Sequence, residues 1–207
     1  SRLYCACQKN DTEEVDRLLL NPREKTDVNQ QETMCNVAKD LSTPLLVASL
    51  RGYTFMVIRL LAEKNIILSI NLQESKDGMT PLHAACQQGH TKIVELLLDV
   101  QGINVNVPNT LDGATGLYFA CQNGFLDIVK LLLDVKGIDV NLSRFDYRIT
   151  PMGIAAQKGH MKIVDLLLAM DDIKMDGFRF LGKKKKKKKK TKKKKNKKKK
   201  KKKNKNN

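Results

Sequence analysis

Residues 77–98 have the sequence DGMTPLHAACQQGHTKIVELLL, and the same pattern returns 35 residues later and again 35 residues after that. The second copy is DGATGLYFACQNGFLDIVKLLL at 112–133, and the third is YRITPMGIAAQKGHMKIVDLLL at 147–168. A period of this length indicates a small structural unit that is stacked on copies of itself. Stacked units build long binding surfaces more often than catalytic clefts.

Two weaker copies precede these three. Residues 43–61 are TPLLVASLRGYTFMVIRLL, and residues 5–19 are CACQKNDTEEVDRLL, with Asn10 where the other copies have glycine. Five copies exceed the minimum of about three that a stack needs for stability. The predicted repeats span approximately 1–29, 39–71, 76–106, 111–141 and 146–176.

Each copy predicts two short helices joined by a tight turn. Thr80 can cap a helix that begins at Pro81, and Gly89 suits the left-handed residue that ends it near Gln88. A second helix is predicted over 91–98, where the apolar stripe is too wide for a helix with one solvated side. The alternating apolar residues and Asp-Gly pairs that follow predict a hairpin-like finger.

Small residues occupy one position of every first helix. They are Ala6, Ala48, Ala85, Ala120 and Ala155. Larger side chains would not fit where short helices of adjacent repeats pack closely. We therefore expect these alanines to be buried in one continuous core.

The stretch DGMTPLHAACQQGHTKIVELLL resembles the ankyrin repeat, which is marked by T-P-L-H-x-A, then G-H and an apolar outer helix. The resemblance covers about residues 3–176. Departures include Gly116 in place of proline, and Leu46, Tyr118 and Gly153 at the histidine position. The resemblance implies an all-α solenoid with finger loops, a concave face made of finger tips and inner helices, and a non-catalytic role in binding proteins.

The formal net charge of +17 arises from the end of the chain. Residues 183–207 contain 20 of the 39 basic residues and no acidic residue, which leaves 19 basic against 22 acidic residues elsewhere, a net charge of −3. A lysine run of this kind repels itself and is expected to be a disordered, low-complexity tail beside a repeat domain of residues 1–182. It could bind nucleic acid, act as a nuclear-import signal, or be the translation of an adenine-rich stretch.

No enzyme motif is present. The chain lacks a glycine-rich phosphate loop, a G-x-S-x-G elbow and an H-E-x-x-H pair, and no cofactor or small-molecule substrate is expected. His83 and Cys86 lie three residues apart, but a closed zinc site needs four ligands. We therefore interpret His83 as a partner of local backbone groups and Cys86 as a core residue, with no metal.

The candidate partner-binding residues are the least repeated positions of the array, which the resemblance places on the concave face. They are Leu50, Arg51, Lys76, Asp77, Met79, Gln87, Gln88, Leu111, Asp112, Gln122, Asn123, Asp146, Tyr147, Gln157 and Lys158. Tyr147, Met79, Leu111 and Leu50 are the best anchors, because apolar and aromatic groups contribute more binding energy than rim charges. Positions that are merely solvated would also vary between repeats.

The sequence thus predicts a monomeric protein-interaction module in the cytoplasm or nucleus. Alternatives are a nuclear or nucleic-acid-associated protein that uses residues 183–207, and the targeting array of a larger enzyme. We expect a fragment of a longer repeat protein with no membrane span, because the chain begins inside a helix and a sixth finger begins at 173–176. That hypothesis predicts a large exposed apolar patch on residues 161–170.

Overall fold

The computed structural model describes residues 2–20, 43–63, 70–74 and 76–174. Within these ranges it contains ten α-helices and no β-strand. Residues 1–173 form one compact unit, and of residues 174–207 only Lys174 is described. The lysine-rich tail predicted over 183–207 therefore lies outside the described residues.

The helices form five successive pairs, each made of an inner helix and an outer helix. The inner helices are α1 (Arg2–Lys9), α3 (Pro44–Arg51), α5 (Pro81–Gln88), α7 (Gly116–Asn123) and α9 (Pro151–Lys158). The outer helices are α2 (Thr12–Leu20), α4 (Thr54–Leu61), α6 (Thr91–Leu98), α8 (Leu126–Leu133) and α10 (Met161–Leu168). Inner helices pack on inner helices and outer on outer, which confirms the predicted all-α solenoid.

The ends of the inner helices are fixed by local side chains. In α5 the hydroxyl of Thr80 accepts a hydrogen bond from the backbone N–H of His83 at 3.3 Å, and Pro81 occupies the first turn. Gly89 ends the helix with φ +81° and donates its N–H to Ala85. Such a cap contributes about 1 kcal/mol to helix stability. In α1, Asn10 takes the glycine position with φ 56°, which asparagine tolerates better than most residues.

Gly116 begins α7 without the proline of its neighbours. Thr115 still caps the helix by accepting from the N–H of Tyr118 at 3.3 Å. A Cβ at Gly116 would lie 3.2 Å from the sulfur of Cys86. The missing side chain therefore lets α7 pack closely against α5.

The core runs through all five repeats. Ala48, Ala85, Ala120 and Ala155 are completely buried, and Ala6 is nearly so, which confirms the predicted column of small residues. The outer helices add a second buried layer, in which Ile93, Val94 and Leu97 of α6 and their counterparts in α8 lose their solvent contact. Full burial of each such side chain contributes about 1.5–3 kcal/mol.

The predicted apolar patch on residues 161–170 is smaller than expected. Met161 and Leu168 are exposed, whereas Ile163, Val164 and Leu167 are buried. These three belong to the face of α10 that packs against α8 and α9. The exposed apolar surface of residues 161–170 therefore comes mainly from Met161, Leu168 and Ala169, with partial exposure of Leu166 and Met170.

The finger loops are hairpin-like turns without a strand ladder in the described residues. Each closes through a backbone hydrogen bond, between Glu74 and Met79, Asn109 and Ala114, or Arg144 and Ile149, and the last two fingers add a bond from Gly113 to Asn109 and from Arg148 to Arg144. Adjacent fingers are also joined, because the N–H of Thr110 donates to Asp77 at 3.1 Å and that of Phe145 to Asp112 at 2.7 Å.

An asparagine clamp joins each loop to the next. The Asn106 Nδ2 donates to the carbonyl of Gly137 at 2.8 Å, and its Oδ1 accepts from the N–H of Asp139 at 2.8 Å. Asn71 makes the same pair of bonds one repeat earlier, and the Nδ2 of Asn141 makes the corresponding donation one repeat later. The repeats are thus held together by polar contacts outside the apolar core.

Candidate functional site

The inner helices reach solvent mainly at their last two residues. In α5, residues 81–86 are buried, Gln87 is half-buried and Gln88 is exposed. The same change from buried to accessible residues occurs at the end of α3 and α7. We call these accessible C-terminal positions the inner rim.

The predicted rim residues differ in accessibility. Gln87 and Gln122 are half-buried, whereas the others are exposed, namely Leu50, Arg51, Gln88, Asn123, Gln157 and Lys158. Gln8 and Lys9 extend the exposed row to the end of α1. All of these side chains could contact a partner, and the half-buried glutamines would contribute less surface.

Side chains from the following repeat bind the rim carbonyls. The Asn123 Nδ2 donates to the carbonyl of Gln87 at 2.8 Å, so this predicted contact residue also has a structural role. His90 Nε2 donates to the carbonyl of Leu50, and His160 Nε2 to that of Gln122, each at 3.3 Å. Because these carbonyls are satisfied within the protein, the rim offers a partner mainly side-chain groups.

The predicted finger residues fall into two groups. Lys76, Leu111, Asp146 and Tyr147 are exposed, whereas Asp77, Met79 and Asp112 are half-buried. Met79 was predicted as an anchor, and its position leaves it less accessible than Leu111 or Tyr147. The exposed apolar surface of the predicted finger residues therefore belongs to the fingers at 109–114 and 144–149.

The Asp112 carboxylate is engaged by contacts within the protein. Its Oδ1 accepts from the N–H of Ala114 at 3.1 Å, and its Oδ2 pairs with the Nη2 of Arg144 at 2.8 Å. The guanidinium of Arg144 also reaches Asp146 at 3.0 Å and lies 5.8 Å from the centre of the Tyr118 ring. Burial raises the pKa of the Tyr118 hydroxyl, and its hydrogen bond to Arg144 lowers the pKa and opposes that change.

Phe145 is an accessible residue that the sequence analysis did not select. Its side chain is 65% exposed, similar to Leu111 at 66% and Tyr147 at 61%. Its ring also lies over Gly113, where a Cβ would come within 2.6 Å of the ring. The available signal was a phenylalanine at a position where the two preceding fingers hold Ser75 and Thr110.

We name Leu111, Phe145 and Tyr147 the finger patch. Leu111 precedes Asp112, whose carbonyl binds the N–H of Phe145, and Tyr147 follows two residues later. Three large apolar side chains are therefore grouped on two adjacent fingers. Aromatic and aliphatic groups of this size are the usual anchors of protein interfaces.

His83 and Cys86 have the structural roles predicted for them. His83 Nδ1 accepts from the N–H of Thr80 at 3.0 Å, and its Nε2 donates to the carbonyl of Val107 at 2.9 Å. Burial lowers the pKa of His83 to about 4 and raises that of Cys86. Among the described residues, no group of His, Cys, Asp or Glu side chains could hold a metal ion.

The convex side has one repeat unlike the others. The second and fifth positions of the outer helices hold opposite charges in α6, α8 and α10 and two acidic residues in α2, but Phe55 and Ile58 occupy these positions in α4 and are both exposed. In α6 the equivalent pair, Lys92 and Glu95, forms a salt bridge at 2.8 Å. The two apolar residues of α4 therefore replace a solvated ion pair.

Comparison with known families agrees with this architecture. A family model for ankyrin repeats (3 copies) matches residues 3–109 and again residues 100–177. No curated protein matches the chain significantly. Within the described ranges, no helix is both long enough and apolar enough to cross a membrane.

Proposed function

The chain belongs to the ankyrin-repeat family, and from this premise we propose that it binds a protein partner on the concave face formed by its fingers and inner rim. Ankyrin repeats are generally protein–protein interaction modules. The observation that carries the proposal is the finger patch, where Leu111, Phe145 and Tyr147 keep most of their surface in solvent.

The fold favours these side chains as anchors. Phe145 is fixed by its backbone bond to Asp112 and by its ring contact with Gly113, so a partner would meet a pre-positioned ring. A pre-positioned anchor costs less conformational entropy on binding than a mobile one. Tyr147 adds a hydroxyl that can form hydrogen bonds at the edge of an apolar contact.

The experiment compares partner capture by the whole chain and by two variants. Leu111→Ser with Tyr147→Ser removes two of the three finger-patch side chains, whereas Phe55→Ser with Met161→Ser removes a similar apolar surface from the convex side. We expect Kd for a captured partner to rise at least tenfold in the finger variant, since each lost anchor costs about 1–2 kcal/mol. The convex variant should bind normally. Equal binding by both variants would refute the concave face as the site.

The lysine-rich residues 183–207 support a second candidate, association with nucleic acid. Twenty lysines without an acidic residue would release many counterions from a phosphate backbone. Deleting 183–207 should abolish binding of a duplex oligonucleotide and leave partner capture intact. Retention of the oligonucleotide would place the contact in the repeats instead.

The array could also serve as the targeting part of a larger enzyme. The reading frame around both ends of the gene would reveal such a fusion. We propose a cytoplasmic or nuclear location, supported by unpaired thiols at Cys7, Cys86 and Cys121, and we propose a monomeric state. Fractionation and light scattering test these two expectations.

A further inference from the structure

The charges of the helices are sorted between the two layers. None of the five inner helices contains an acidic residue, whereas the outer helices contain both signs. Exposed basic residues close three of the inner helices, Lys9 in α1, Arg51 in α3 and Lys158 in α9. The inner rim is therefore cationic, although the chain outside the lysine tail is net acidic.

These three charges are available to a partner. Among the described residues, no salt bridge engages Lys9, Arg51 or Lys158. The carboxylates of the neighbouring fingers are partly neutralised, because Arg144 pairs with both Asp112 and Asp146. The proposed concave face thus combines a cationic inner rim with the apolar finger patch.

Building on the proposed function, we propose that the partner contributes an acidic segment, whose carboxylates face the inner rim and whose apolar side chains rest on the finger patch. Adjacent packed helices lie about 8–10 Å apart, so Arg51 and Lys158, three inner helices apart, are separated by about 24–30 Å. An extended segment of about eight or nine residues covers this span at about 3.3 Å per residue.

A peptide fits this charge pattern better than a nucleic acid. Each strand of a nucleic-acid duplex carries a phosphate about every 3.4 Å along the axis, whereas the rim holds amides between Arg51 and Lys158, at Gln88 and Asn123. The finger patch is apolar and offers a phosphate backbone no charged partner. A peptide with a few carboxylates and an apolar centre matches the separated charges of the inner rim and the apolar finger patch.

Photo-crosslinking of a designed peptide to the full chain tests the proposal. The decapeptide has two glutamates at each end and an apolar centre with a benzophenone side chain, and a second version has glutamine in place of every glutamate. Mass spectrometry then locates the crosslinks. Residues 183–207 serve as an internal reference, since they attract the acidic peptide by charge alone.

We expect the acidic peptide to label the segment that contains Leu111 and Tyr147, and the glutamine peptide to label it weakly. Arg51→Glu with Lys158→Glu should lower this labelling about fivefold, as expected for two exposed charge contacts. The control Lys162→Glu on convex α10 should leave the labelling of this segment unchanged. Labelling of residues 183–207 should be the same in every variant. Equal labelling by both peptides, or no effect of the rim variant, would overturn the proposal.

The outcomes separate this inference from the proposed function. A natural partner that needs Leu111 and Tyr147 but ignores Arg51→Glu with Lys158→Glu leaves the concave site standing and removes the acidic segment. A partner that ignores both pairs removes both proposals. A single-stranded oligonucleotide is added both to the full chain and to a chain without residues 183–207. If it prevents peptide labelling of the finger segment in both, the rim is a nucleic-acid surface and the peptide assignment is overturned.

Discussion

The imidazole of His160 lies over Gly124, so closely that a Cβ on the glycine would stand 2.6 Å from its Cε1. His90 covers Gly52 and Phe125 covers Gly89 in the same manner. A ring at the start of α6, α8 and α10 therefore packs on the turn of the preceding repeat. Among the described residues, apart from its two chain neighbours, Gly159 has no atom within 4 Å of the equivalent point.

This difference predicts unequal costs for two identical substitutions. Gly159→Ala should cost about 1 kcal/mol, because φ +86° is a left-handed conformation that alanine disfavours. Gly124→Ala has the same strain and must also displace His160, which loses its bond to Gln122, so we expect about 2–3 kcal/mol. Urea unfolding of both variants measures the gap. Equal losses would mean that the ring contact contributes nothing.

His83 should make stability depend on pH. The unfolded chain binds a proton near pH 6.5, but burial keeps the folded imidazole neutral down to about pH 4. Protonation therefore favours the unfolded state, and the free energy of unfolding should fall by up to about 3 kcal/mol as the pH drops from 6.5 to 4. Above pH 6.5 this contribution is constant.

The variant His83→Gln isolates the imidazole, because glutamine can still bond to the Thr80 N–H without titrating in this range. We expect a shallower decrease in its free energy of unfolding than in the parent between pH 6.5 and 4. Carboxylates titrate in both proteins and cancel in the difference. Parallel pH curves would contradict the neutral, buried imidazole.

The Asp112–Arg144 pair should be coupled more strongly than an ordinary surface pair. Its side chains are 18% and 25% exposed, whereas those of Asp127 and Lys130 are 78% and 54% exposed. We expect a coupling energy of about 1–2 kcal/mol for the first pair and under about 0.5 kcal/mol for the second. Double-mutant cycles with Asp→Asn, Arg144→Met and Lys130→Met measure both. Similar values would show that the finger contact is solvated.

Arg148 has an unfavourable backbone conformation. It has φ 48° at the position where Gly78 and Gly113 have φ 67° and 78°. Arg148→Gly should therefore raise the free energy of unfolding by about 0.5–1 kcal/mol, after the added flexibility of the unfolded chain is subtracted. Arg148→Ala retains the strain and serves as the control. A stabilising effect of alanine equal to that of glycine would assign the cost to the guanidinium instead.

The apolar pair on α4 should be replaceable. Phe55→Lys with Ile58→Glu introduces the charge pattern of α6, and neither parent side chain is part of the buried core. We expect the free energy of unfolding to change by less than about 0.5 kcal/mol. The double variant should also bind less of an apolar dye than the parent protein. A large loss of stability would show that the pair is packed in the folded protein.

Local signals were sufficient to predict the helices. Thr80, Pro81 and Gly89 define the ends of α5 by bonds within one turn, and the structure places α5 and α6 at the predicted residues. Two of the finger turns were predictable in the same way, because the Asp-Gly sequences at 77–78 and 112–113 specify the turn locally, whereas the third has Arg148 at the glycine position. These features need no knowledge of neighbouring repeats.

Contacts between repeats could not be predicted from the same signals. Arg144 lies over Tyr118 only because successive fingers overlap by a particular distance, which the pattern of apolar residues does not determine. The exposure of Phe145 was missed for the same reason, since its position is polar in the two fingers before it. The partner-binding role of the rim and fingers remains a prediction.

The asparagine clamps have a consequence for how such a chain can change over generations. The Asn106 side chain grips only main-chain atoms of the following loop, the Gly137 carbonyl and the Asp139 N–H, and Asn71 likewise grips Gly102 and Asn104. Because these hydrogen bonds are made to the main chain, they do not depend on which side chains the following loop carries. Whole copies could be duplicated, lost or shuffled without a matching mutation at the new junction.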